Sequence, residues 1–128
     1  MKLLLDTHAL LWWWTDDKQL SKNAREAMLD EDNTVLVSAA SVWEISTKFR
    51  LGKLPIAKTA IDQFHQLIEA DGFGHLPISW QHSMLAGAYV HEHRDPFDRM
   101  LAAQSEIENA RLITCDAAFI AFSTQVLW

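Results

Sequence analysis

The chain has a single cysteine, Cys115, so no disulfide can form within it. A lone thiol fits a reducing compartment, and a cytoplasmic location is the expectation. No long hydrophobic run is present either. The apolar stretch at 10–14 is far too short to cross a bilayer, and no basic start leads into an apolar segment, so neither a membrane span nor a signal peptide is read. Basic residues are in deficit: 11 Lys and Arg stand against 17 Asp and Glu, a net charge of −6. That excludes a broadly basic coat for nucleic acid while leaving room for a local basic rim. It is also the sign expected if several acids must gather to hold metal. Repeats, low-complexity tracts and linkers are missing too. What remains, 128 residues with 22% charged and 49% hydrophobic, is the profile of one globular domain spanning 1–128. Such a chain can bury about two-thirds of the surface it exposes when unfolded.

The pattern begins with Lys2-Leu3-Leu4-Leu5 ending on Asp6. An apolar run without polar alternation suits a strand buried on both faces, the kind found in a parallel sheet. A short helix follows over 7–14. Ser21 caps a second helix reaching about residue 30. Thr34-Val35-Leu36-Val37 is a second strand ended by Ser38, and strand–helix–strand in this rhythm predicts a parallel crossover. The next helix starts at Ala39 or Ser41 and runs to about Leu51, closed by Gly52 with Pro55 beyond. One amphipathic helix is expected over 59–70. A weak edge strand at 75–78 is demoted by Pro77, and a helix opened by Ser79 follows. The polar loop His91-Glu92-His93-Arg94 leads into Asp95-Pro96 and a long helix to about Asn109. Strand 111–114, a short helix over 117–122 and a closing edge strand at 125–128 complete the reading. The fold class is α/β.

Four acids stand out. Asp6, Glu44, Asp98 and Asp116 each lie near a strand's C-terminal end or at the start of a following helix. Singly, each has an ordinary account. Asp6 and Asp116 suit helix caps, and Glu44 can close a capping box with Ser41. Were that helix to begin at Ser38 instead, Glu44 would project from its second turn. Asp98 is surplus to the cap that Asp95 provides, though it too favours the positive helix end. Jointly, the acids fall along one edge of a parallel sheet, where α/β proteins place their chemistry. Clustered carboxylates repel and raise one another's pKa unless a cation neutralises them. An all-oxygen site suits Mg²⁺ or Mn²⁺, with water and substrate phosphate completing the octahedron, and such a site suits phosphodiester hydrolysis. Asp6-Thr7-His8 lacks the second Asp of an Asp-x-Asp phosphatase.

The same residues carry a resemblance. The blocks Leu4-Leu5-Asp6-Thr7-His8-Ala9-Leu10-Leu11-Trp12, Ser41-Val42-Trp43-Glu44-Ile45, Leu51-Gly52-Lys53-Leu54, His93-Arg94-Asp95-Pro96-Phe97-Asp98-Arg99-Met100-Leu101-Ala102-Ala103-Gln104 and Leu112-Ile113-Thr114-Cys115-Asp116 resemble the PIN-domain nucleases. Within that family the likeness is greatest to VapC-type toxins of bacterial toxin–antitoxin pairs. The ordered set covers nearly the whole chain. The resemblance implies a three-layer sandwich with a central parallel sheet of five strands. It also implies Mg²⁺-dependent endoribonuclease activity on RNA, a homodimer, and a small cognate antitoxin as partner. Position by position, Asp6, Glu44, Asp98 and Asp116 match the family's acidic quartet. The alternative is a PIN-like module that binds RNA or protein without catalysis.

Around the acids, Thr7 offers a hydroxyl either to the site or to a helix cap. Arg94 and Arg99 are candidates for contacting RNA phosphates. Lys48 and Lys53 read as a solvated face, and His91 and His93 as solvated loop residues, since i, i+2 spacing without Cys is a poor transition-metal pattern. Trp12-Trp13-Trp14 cannot all face one core, which points one of them to a protein interface.

Overall fold

A computed structural model describes residues 1–54, 56 and 58–128. Pro55, expected just past a helix end, lies outside the described residues. Five strands form one all-parallel sheet: β1 (Lys2–Leu5), β2 (Thr34–Ser38), β3 (Gly74–Leu76), β4 (Arg111–Ile113) and β5 (Val126–Leu127), in the order β3-β2-β1-β4-β5. β1 is central, with Leu4 beside Leu36 on one side and Leu112 on the other. The triple leucine of β1 is buried on both faces, as its unbroken apolar run requires. Leu3 and Leu5 join Val35, Val37 and Ile113 in one core. Leu4 joins Leu112, Leu101 and Phe119 in another. Alternation with period two thus builds the three layers.

The helices are α1 (Thr7–Trp14), α2 (Lys22–Leu29), α3 (Ala39–Arg50), α4 (Lys58–Asp62), α5 (Phe64–Ala70), α6 (Trp80–Ala88) and α7 (Pro96–Glu108), with a 3₁₀ turn at Ala117–Ala121. Their starts follow from capping. Ser21, Ser38, Ser79 and Asp95 each accept from a backbone N–H of the turn they open. α3 ends where Gly52 takes φ +71°, with Lys53 N–H returning to the Lys48 carbonyl, so only a residue tolerant of the left-handed region serves there.

Two expectations need correction. The helix foreseen over 59–70 breaks at Gln63, whose φ −108° and ψ 23° leave the helical region. In α4 no residue is fully buried and Ile61 packs on the core only in part, whereas α5 is anchored by the fully buried Ile68. All three tryptophans, moreover, pack on one core. Trp12 meets Trp128, Trp13 meets Phe73 and Trp14 meets Phe64, each half-buried ring reaching a different neighbour. A half-buried indole needs only one flank of the helix turned inward, which is why three in a row fit. None of the helices among the described residues is long and apolar enough to cross a membrane.

Candidate active site

The strand order runs outward from β1 in both directions, so the C-terminal ends of β1 and β4 flank the point where the order reverses. In open α/β sheets that reversal point is the usual ligand position. Asp6 follows β1 directly, and its backbone N–H donates to the Ile113 carbonyl at 3.1 Å, so it sits against the end of β4. Asp116 follows β4 after Thr114 and Cys115. Asp98 occupies the first turn of α7, which runs back to β4 through a tight turn at Asn109 and so begins at the same edge.

Asp6 is 7% exposed, and its Oδ1 accepts from Ala9 N–H at 2.7 Å. Burial raises its pKa, a hydrogen bond from Thr114 and the Ala9 N–H lower it, and the charge of Asp116 raises it again. Asp98 is pushed up to about 6, first by burial, with His93 lowering it and Asp95 and Asp116 raising it. Asp116 therefore stands within electrostatic reach of both other aspartates. It also caps the 3₁₀ turn, its Oδ1 accepting from Ala118 N–H, so the cap role and a site role coexist. Glu44 is 5% exposed and projects from the second turn of α3, because that helix starts behind Ser38 and not Ser41. The capping box with Ser41 is therefore not formed. Glu44 Oε1 instead accepts from the Thr7 hydroxyl, and its Oε2 pairs with Lys48 at 2.7 Å. Thr7 thus ties Glu44 to the residue next to Asp6, and Ser41 lies 3.1 Å from the same hydroxyl.

Three expectations about neighbours are overturned. Lys48 is no free surface cation, since it neutralises Glu44. His93 is no solvated loop residue, since its Nε2 lies 2.9 Å from Asp98 Oδ2. Arg99 does not await a phosphate. Its Nε donates to Ala86 O, Nη1 to His91 O and His93 O, and Nη2 to Gly87 O and Tyr89 O, which uses all five N–H groups. Arg94 is exposed, as a substrate contact needs. Reasoning from the sequence also passed over Gln104. Fully buried in α7, it accepts from the Ser38 hydroxyl and donates to the Pro77 carbonyl. The only signal for it was a polar residue on the apolar face of that helix.

Among the described residues, no three His, Cys, Asp or Glu side chains already stand at metal-ligating spacing. Each acid is drawn aside by a partner: Asp6 by Ala9 N–H, Asp98 by His93, Glu44 by Lys48 and Thr7. The donor set nonetheless fits a hard divalent cation. It is all oxygen, and among the described residues Asp98 Oδ1 and Asp116 Oδ2 have no hydrogen-bond partner. Mg²⁺ keeps several waters, so carboxylates can hold it partly through them at wider spacing than a closed cage demands. Cys115 is exposed, and desolvation with the charges of Asp6 and Asp116 raises its thiol pKa.

Asp6, Asp98 and Asp116 stand on the C-terminal edge of a parallel sheet at the reversal of strand order, where open α/β sheets place their ligands. The chain belongs to the PIN domain family, whose model matches residues 3–124. Members of that family are generally nucleases that use divalent metal ions. No curated protein sequence matches it. The fold is shared with three solved toxin–antitoxin structures. VapBC-1 from nontypeable Haemophilus influenzae has TM-score 0.73 and 18% identity over 99% of this chain and 97% of that one. VapBC2 from Rickettsia felis, bound to a DNA fragment from their promoter, has TM-score 0.72 and 15% identity over 100% and 98%. A toxin–antitoxin complex from Klebsiella pneumoniae has TM-score 0.66 and 18% identity over 98% and 96%.

Two consequences follow for stability. The folded-state pKa of Asp98, about 6, lies above its ordinary 3.8, so in that window the fold holds a proton the unfolded chain has lost. Stability then falls as pH rises through the window, and the cost is complete above about pH 6. Asp98→Asn is expected to stabilise the chelator-treated protein by about 1–3 kcal/mol at about pH 8, with the gain vanishing below about pH 4. Urea denaturation at both pH values measures it, and an equal gain at both would exclude the electrostatic account. Lys48→Met strands a nearly buried carboxylate and is expected to cost about 1–2 kcal/mol. A double-mutant cycle with Glu44→Gln should recover about half of that loss, whereas strict additivity would mean the pair contributes nothing.

Proposed function

We propose that this chain is a Mg²⁺-dependent endoribonuclease, the toxin of a toxin–antitoxin pair, acting as a homodimer and restrained by a small antitoxin. The observation that carries the reading is the convergence of three acids on one sheet edge: Asp6 after β1, bonded through its N–H to the Ile113 carbonyl, Asp98 in the first turn of α7, and Asp116 capping the turn after β4. The antitoxin follows from the fold shared with toxin–antitoxin complexes, and the homodimer from the family resemblance.

In this reading Asp6, Asp98 and Asp116 hold the cation, and Mn²⁺ can replace Mg²⁺. When bound, such an ion lowers the pKa of the attacking water and neutralises charge on the phosphate. Glu44, paired with Lys48 and aimed by the Thr7 hydroxyl, accepts a proton or orients the water. Thr7 is thus a supporting group rather than a substrate contact. Arg94, exposed beside His93, meets a backbone phosphate of the RNA.

The test is cleavage of a panel of structured RNAs with Mg²⁺ and with chelator. Mg²⁺-dependent endonucleolytic products support the proposal. Tight RNA binding with no cleavage of any panel member, in Mg²⁺ or Mn²⁺, would favour the catalytically silent binding module instead.

A further inference from the structure

α6 ends at Ala88, and its last carbonyls have no helical partners. The chain then continues without regular structure to Asp95. Five main-chain carbonyls of this stretch, at Ala86, Gly87, Tyr89, His91 and His93, converge on one guanidinium, that of Arg99, at 2.6–3.4 Å. Five acceptors thus meet five donors. The first two acceptors lie at the negative end of α6, where a fixed cation is favoured. Lysine could not replace this, because its three donors radiate from a single atom and cannot span a planar fork.

The clamped loop returns to the site. The His91 and His93 rings rest edge-on against Phe122, and Tyr89 packs on the same ring. His93 then reaches across to Asp98 Oδ2 at 2.9 Å. Asp98 and Arg99 are neighbours on the first turn of α7, so a circuit closes: Arg99 to the His93 carbonyl, the His93 ring to Asp98, Asp98 back to Arg99 through the chain.

We propose that Arg99 is a positioning residue: by gathering the carbonyls of the loop after α6, it fixes His93 against Asp98 and so sets the aim of that carboxylate in the site. The assignment of Asp98 to catalysis rests on the nuclease reading, whereas the placement of His93 by Arg99 does not. Arg99 is half-buried, so its loss leaves carbonyls that water can reach. The loop should therefore loosen while the sheet stays folded.

The experiment is ¹⁵N NMR of the histidine side chains in the full chain, without added metal, for wild type, Arg99→Met and Arg99→Lys, with His93→Ala to assign the signal. The wild type should show a slowly exchanging His93 ring N–H, and both Arg99 variants should lose it while the amides of β1 and β4 keep their shifts. In an RNA-cleavage assay, Arg99→Met and His93→Ala should both lower kcat by on the order of tenfold with little change in KM. An unchanged His93 signal in the Arg99 variants overturns the proposal. So does a rise in KM alone, which would make Arg99 a phosphate contact. If Arg99→Met does not fold, Arg99→Lys and His93→Ala decide by the same criteria. If the wild type cuts no RNA, the nuclease reading falls while the ring signal still judges the clamp.

Discussion

Asp6→Asn and Asp98→Asn are each expected to reduce Mg²⁺-dependent RNA cleavage by about two to three orders of magnitude, and chelator to abolish it. Replacing a carboxylate by an amide keeps shape and removes charge, so cation affinity suffers before packing does. Asp6 is the more demanding case: it is 7% exposed and one oxygen is committed to Ala9 N–H, an interaction Asn can reproduce through its carbonyl oxygen. The helix cap should therefore survive while the cation is lost. Asp16→Asn, in the exposed turn after α1, is the control and should leave cleavage unchanged. Raising Mn²⁺ should rescue part of the Asp98→Asn loss if the defect is one of affinity. Cleavage that persists in chelator and in both variants would sink the metal mechanism.

Gln104→Leu should cost about 2–4 kcal/mol, although leucine is close in volume and better suited to an apolar surrounding. Gln104 is fully buried and joins three elements. It accepts from Ser38, donates to the Pro77 carbonyl at 3.3 Å, and sits on α7 six residues after Asp98. Ser38 in turn caps α3, the helix bearing Glu44. Leucine would leave the Pro77 carbonyl and the Ser38 hydroxyl short of partners. Urea denaturation measures the loss, and a change under about 0.5 kcal/mol would mean that water replaces the amide without penalty. Cleavage should fall as well, since α3 and α7 lose their polar tie and Glu44 drifts relative to Asp98.

Much of the fold was legible because its signals are local. An unbroken apolar run predicted the central strand. Serines at 21 and 79 and the pair Asp95-Pro96 announced helix starts, since a capping side chain serves donors within its own next turn. Gly52 marked the end of α3 for the same short-range reason. The break at Gln63 escaped, because apolar spacing across 59–70 is continuous and no glycine or proline marks the break. The partner of Glu44 was left open for a different reason. The capping box and the (i, i+4) pair with Lys48 are both readable in the sequence, and the choice depends on whether α3 starts at Ser38 or Ser41.

By itself the sequence determined the parallel α/β plan and the approximate ends of its elements, and it named four candidate acids, since periodicity, capping and chain order are properties of neighbours. Tertiary structure decided which distant groups those acids meet. It set Asp116 within reach of Asp6 and Asp98, tied Glu44 to the Thr7 hydroxyl, and joined Gln104 to Ser38. A hydrogen bond is satisfied by whichever donor the folded chain brings within about 3 Å, and residues far apart in sequence meet only after the sheet has assembled.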